Sequence, residues 1–181
     1  MILLKVGIIG CGRVATSIHL PSLQRIKGVN VVAAVDVNSV QLRETMEKHR
    51  IDEGYVDHRR MLEKVDVDAV FVCSPPETHY QIIMDAIQYG KHILCEKPIA
   101  TTVEEGFAIK RALEAKQRET SKPLVLMPAH NFVFTPCFTK ALQLIRDGEI
   151  GSLKKIRGYA VSNLTFYRAR TDFRLQAKGG V

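Results

Sequence analysis

The chain has four cysteines, Cys11, Cys73, Cys95 and Cys137, but no C-x-x-C pair among them. A thioredoxin-like redox motif or a zinc site would need that spacing, so no metal ligands are expected and the cysteines read as reduced, intracellular thiols. No stretch approaches the roughly 20 apolar residues of a membrane helix. The apolar start, MILLKVGIIGCG, is broken by Lys5 and runs into a glycine turn without a cleavage-site pattern, so it is expected to be a first strand and not a signal peptide. Internal repeats and low-complexity segments are missing as well, which excludes a repeat array. A basic stripe is also missing, despite a formal net charge of +7. Seven basic residues and a single acid, Asp172, follow Gly151, leaving nineteen basic against eighteen acidic residues before it. Positive charge confined to one end is not the footprint of a nucleic-acid binder. A cytoplasmic protein without nucleic-acid or membrane partners is expected.

What is present is ordinary globular material: 181 residues, 46% hydrophobic and 25% charged. A domain near this size buries roughly 70% of its unfolded-chain surface and needs no disulfide or metal to hold it. Short, near-continuous apolar runs occur at Leu4–Ile9, Val29–Val35, Ala69–Cys73, His92–Cys95 and Leu124–Met127, the character of strands covered on both faces. Helical segments lie between them. Ser74-Pro75-Pro76-Glu77 reads as a capping serine followed by a proline at the first helical position; Ile82, Ile83, Ala86 and Ile87 then share a face, and Gly90 closes the helix. Thr101 and Thr102 each stand three residues before a glutamate. Thr135-Pro136 opens a further helix with Phe138, Ala141, Leu142 and Ile145 on one side.

Such alternation implies an α/β fold, a doubly wound parallel sheet with right-handed crossovers whose ligands sit at the carboxyl ends of the strands. After Gly151 the pattern changes, and one longer strand over about Leu153–Leu164 is expected with no crossover helix behind it. Residues 1–128 are therefore expected to form one domain, and 129–181 a linker helix plus the start of a second. Unpaired, that strand would expose its backbone edges.

Directly after the first run comes Gly10-x-Gly12-x-x-Ala15, leading into a helix. Gly10 suits the tight turn, Gly12 lets backbone approach a pyrophosphate, and Ala15 allows close helix–strand packing. The amides near Arg13 and Val14, at the helix N-terminus, would bind the phosphates. The second run ends in Asp36, 21 residues beyond Ala15. A carboxylate there accepts from ribose hydroxyls and repels a 2′-phosphate, favouring NAD with NADP still possible. Asn38 could add a hydrogen bond to the cofactor or, with Gln41, form a plain helix cap.

The fourth run ends in Cys95-Glu96-Lys97-Pro98. Charges at a strand end commonly form only a surface ion pair. In this context, with GIIGCGRVA, VCSPPETHY, AHNFVFTP and GEIGSLKKI in the same order along the chain, the sequence resembles the glucose–fructose oxidoreductase / inositol dehydrogenase family of nicotinamide-dependent sugar and polyol oxidoreductases. The resemblance implies a nicotinamide-binding Rossmann domain followed by an open antiparallel sheet that carries oligomer contacts, so a homo-oligomer is expected of the full-length form. It implies that Lys97 is catalytic, hydrogen-bonding and polarising the substrate oxygen, while Glu96 accepts from ribose hydroxyls. Cys73, Ser74, Pro75 and Pro76 would line the cofactor, His79 would lie near it, and Asn131 would lie near the substrate, with Val133 where many members carry a polar residue. His19 and Pro21 are read as packing. The Asp-x-Gly-x-His motif that supplies the family's acid/base histidine does not occur in this sequence; the nearest match, Asp52-Glu53-Gly54, has Val56 in the histidine's place. Two functions follow as expectations: hydride transfer between NAD and a sugar or polyol, or dinucleotide binding without catalysis. An adenosylmethionine-binding methyltransferase shares the glycine loop but not Glu96-Lys97-Pro98.

Overall fold

A computed structural model describes residues 3–159 of the chain. The first apolar run becomes β1 (Leu4–Ile9), with Val6 and Ile8 wholly buried because helices cover both faces of the strand. The glycine turn leads into a π-wound segment (Ala15–His19) and then α1 (Leu20–Leu23). There follow β2 (Val29–Val35), α2 (Ser39–His49), β3 (Glu53–Tyr55), α3 (His58–Lys64), β4 (Ala69–Val72), α4 (Pro76–Gln88), β5 (His92–Cys95), α5 (Val103–Thr120) and β6 (Leu126–Pro128). The six strands form one parallel sheet in the order β3-β2-β1-β4-β5-β6. That is the doubly wound order, with its reversal between β1 and β4.

Register brings the strand ends into line. Ile9 stands opposite Val35 on one side and Val72 on the other, and Val72 stands opposite Cys95. The ladder continues one residue further: the Gly10 amide donates to the Val35 carbonyl at 2.8 Å, Cys73 to Ile9 at 2.7 Å and Glu96 to Val72 at 2.9 Å. Gly10, Asp36, Cys73 and Glu96 therefore leave the sheet along one carboxyl edge.

The core behind that edge is built from β4 and β5 against the inner face of α4. Val70, Val72, Ile83 and Cys95 are fully buried, and Ile109 of α5 closes over them. Helix ends follow local chemistry. Asn38 Oδ1 accepts from the amides of Val40 and Gln41 at 3.1 and 3.2 Å, which caps α2. Thr102 and Glu105 form a reciprocal capping box at the start of α5.

The packing divides the chain into two units, one through Ala129 and one from His130. The second contains a 3₁₀ turn (Asn131–Phe134) and α6 (Pro136–Arg146), opened by the expected proline.

Three expectations are corrected. Ser74 does not cap α4: Pro75 is the cap residue and Pro76 the first helical one. A residue before proline is pushed out of helical geometry, so the helix cannot begin at Pro75. The Ser74 hydroxyl instead meets Thr78 Oγ1 at 2.7 Å, and Thr78 donates to the Pro75 carbonyl. β3 was not expected; three residues at a sheet edge, Glu-Gly-Tyr, carry no apolar run to announce them. The long strand expected over Leu153–Leu164 is not formed across Leu153–Tyr159, which are exposed and pair with no strand among the described residues. A strand is defined by its ladder, and none of the described residues supplies one. The rest of that stretch lies outside the described residues.

Candidate dinucleotide site

Gly10 turns the chain off β1 with φ +94°, and a Cβ on it would lie 2.6 Å from the Ser74 amide nitrogen. Only glycine allows both the conformation and the approach. Gly12 differs: a Cβ there would meet nothing within 4 Å. The space in front of Gly12 thus lies open beside the backbone amides of Arg13 and Val14, at the start of the helical segment, as a pyrophosphate would require.

The loop is held in shape from behind. The Cys11 amide donates to Asp36 Oδ2 at 2.7 Å, and the Cys11 carbonyl accepts from Gln41 Nε2 at 2.7 Å. The other Asp36 oxygen accepts from the Asn38 amide at 2.8 Å. Each carboxylate oxygen retains a free lone pair for a hydroxyl donor. Asn38 uses Oδ1 for the helix cap, which leaves its Nδ2 donors outside the cap. Gln41 was read only as part of that cap; its reach back to the glycine loop depends on how α2 lies over β1, which no local motif encodes.

At the other end of the edge, Glu96 does not pair with Lys97. Its carboxylate accepts from His19 Nε2 at 2.8 Å, and the His19 ring packs edge-on against Phe71 at 5.6 Å. The His19 hydrogen bond holds the Glu96 carboxyl below its ordinary range, outweighing burial, with help from the Lys97 amide. His19 does pack, as its sequence context suggests, but it also fixes an acid 77 residues away. Lys97 is exposed, and among the described residues no carboxylate comes within ion-pair distance of its ammonium. The Lys97–Pro98 peptide is cis.

Burial, aided by the neighbouring Asp36 charge, pushes the Cys11 thiol up to about 11, and burial with Glu96 pushes Cys95 up to about 12. Cys73 rises too, chiefly by burial. These are protonated, packed side chains; the Cys95 thiol donates to the Glu96 carbonyl at 3.2 Å. Ser74 and Pro76 are half-buried and Pro75 is exposed along the same edge. His79 is 1% exposed, and its ring nitrogens lie 2.7 Å from the Pro98 carbonyl and 2.8 Å from the Ser74 carbonyl. It is neither a surface residue nor free to bond a ligand. Asn131 is exposed at the start of the second unit's 3₁₀ turn.

A strand order reversing at β1/β4, a glycine turn opening onto a helix and an acid ending β2 together define a Rossmann domain built for a dinucleotide. The family model described as an oxidoreductase family with an NAD-binding Rossmann fold matches residues 4–122, and the chain belongs to that family, the glucose–fructose oxidoreductase / inositol dehydrogenase family. NAD is the family's cofactor. The chain is 40% identical over 151 residues to inositol 2-dehydrogenase of Burkholderia cenocepacia, covering 82% of this chain and 43% of that one. It is 32% identical over 155 residues to myo-inositol 2-dehydrogenase of Thermotoga maritima, covering 85% and 44%. Among solved structures it resembles scyllo-inositol dehydrogenase of Lactobacillus casei, determined with bound NAD(H) and scyllo-inositol. There the TM-score is 0.75 and the identity 29%, over 82% of this chain and 42% of that one. The chain therefore spans less than half the length of the relatives it matches. Among the described residues no helix is long and apolar enough to cross a membrane.

Proposed function

We propose that this chain supplies the cofactor-binding half of an NAD-dependent oxidoreductase that moves a hydride between NAD and a hydroxyl or carbonyl of a sugar or polyol. The observation that carries this reading is the register of β1, β2, β4 and β5, which delivers the glycine loop, Asp36, the Ser74–Pro76 segment and Glu96-Lys97 to one edge. The nicotinamide, when bound, supplies the hydride acceptor or donor. Amides at Gly12, Arg13 and Val14 hold the phosphates, and Asp36 accepts from the adenosine ribose and disfavours a 2′-phosphate. Glu96, fixed by His19, keeps acceptor capacity for the second ribose, and Cys73, Ser74, Pro75 and Pro76 form the wall. Lys97, which no carboxylate among the described residues neutralises, hydrogen-bonds and polarises the reacting oxygen as the catalytic group. Asn131 serves the substrate side. The inositol dehydrogenases among the relatives support a polyol substrate, and four free cysteines support a cytoplasmic setting.

A second reading, dinucleotide binding without turnover, makes the same use of the cofactor edge. A thermal-shift titration with NADH and NADPH, with Asp36→Ala as control, tests what both readings share. Cofactor at 100 times its dissociation constant should stabilise the fold by about 2.7 kcal/mol. A NADH shift that shrinks in the variant supports the site; no shift with either cofactor counts against it. NAD reduction over a polyol and sugar panel, lost in Lys97→Ala, separates the two readings.

A further inference from the structure

Between the wall segment and the catalytic segment stands one side chain that touches both and reaches neither solvent nor ligand. His79 lies in the first turn of α4, fully enclosed. Its Nδ1 faces the Pro98 carbonyl, just beyond Glu96-Lys97, and its Nε2 faces the Ser74 carbonyl, just beyond β4. Carbonyl oxygens only accept, so a ring nitrogen that carries a proton donates to the carbonyl it faces. An imidazole is rigid and planar, so short contacts at its two nitrogens set the distance between the two backbones on either side of it. Among the described residues no other hydrogen bond joins the two segments beyond the ladder: Glu96 is tied to Val72, and Ser74 to Thr78 of the helix it precedes.

We propose that His79 is a positioning residue that clamps the β4–α4 turn to the segment after β5, holding the Ser74–Pro76 wall and Lys97 at a set spacing for the nicotinamide end of the cofactor. This rests on the dinucleotide reading above. The clamp lies at the β4/β5 end of the edge, whereas Asp36 and the Gly12 loop stand at the β1/β2 end with their own supports, Gln41 and Asn38. Loss of the clamp should therefore be felt by one half of the cofactor only.

The test is calorimetric titration of wild type, His79→Phe and His79→Gln with NADH and with ADP-ribose, which lacks the nicotinamide. His79→Phe fills the cavity without donors; His79→Gln keeps one amide donor within reach of Ser74 and carries the comparison should the first variant not fold. Wild type is expected to bind NADH more tightly than ADP-ribose. The variants should weaken NADH about tenfold, the order expected for losing one or two hydrogen bonds, while ADP-ribose affinity stays within about twofold. Equal losses for both ligands would assign His79 a purely structural role and overturn the proposal, as would no loss for either. Equal wild-type affinity for the two ligands would overturn it too, since nothing would remain to position. Wild type binding neither ligand would instead remove the dinucleotide reading itself, and the clamp with it.

Discussion

Replacing each of the two loop glycines by alanine should produce opposite phenotypes. At Gly10 the added methyl meets only backbone: Ser74 N at 2.6 Å, Cys73 C at 2.7 Å and Cys73 O at 2.8 Å. None of these is the end of a flexible side chain, so β4's exit must move. A φ of +94° adds the left-handed penalty of about 1–2 kcal/mol for a residue with a Cβ. Overpacking against backbone costs about 1–3 kcal/mol more. Gly10→Ala should thus lose about 2–5 kcal/mol, a fall in Tm on the order of 10 °C for a chain of this size. At Gly12 a methyl meets nothing within 4 Å, so Gly12→Ala should keep its stability within about 0.5 kcal/mol. The methyl would nevertheless stand where phosphate oxygens must approach the backbone, so NADH affinity should fall about tenfold or more, on the order of 1.4 kcal/mol. Differential scanning calorimetry with and without NADH reads both quantities. A Gly12→Ala protein with an undiminished NADH shift would refute the phosphate assignment. A Gly10→Ala protein as stable as wild type would refute the packing argument.

Acid sensitivity is the second expectation. Burial raises the Asp85 carboxyl, but donors from His58 at 2.8 Å, Arg59 at 2.8 Å and Gln81 at 3.0 Å outweigh it and leave the group depressed. Its contribution is therefore fully present above the ordinary carboxylate value of about 4 and is lost as pH falls through the folded value. Asp85→Ala should cost about 1–3 kcal/mol at pH 7, with the gap to wild type narrowing in urea melts towards pH 3. Glu96 is depressed for a different first cause, the His19 hydrogen bond, with the same sign. His19→Phe, which keeps the edge-on packing on Phe71, should cost about 1 kcal/mol at neutral pH after allowance for partial exposure, and progressively less as pH falls below the ordinary carboxylate value through the lower folded one; an unchanged gap in strong acid would contradict the pairing.

The match between sequence pattern and fold is closest where the physics is local. β1, β2, β4 and β5 fall where apolar runs announce them, because strands covered on both faces must be apolar throughout. The Thr102–Glu105 capping box forms because its partners lie three residues apart. Local patterning fails at β3, which is held by pairing with β2 and not by composition. It fails again at Ser74, where a favourable cap residue loses to the steric demand of two consecutive prolines.

The amino-acid sequence by itself determined the doubly wound class, the glycine turn, the acid ending β2 and the Glu96-Lys97-Pro98 segment ending β5, since each depends on residues within one turn or one strand. Only the tertiary structure decided what stands behind them. Gln41 reaches Cys11 across 30 residues, His19 reaches Glu96 across 77, and His79 joins Ser74 to Pro98 from inside the core. Such contacts follow from strand register and from the packing of helices over the sheet, so residues with no distinguishing neighbours in the chain become the supports of the site.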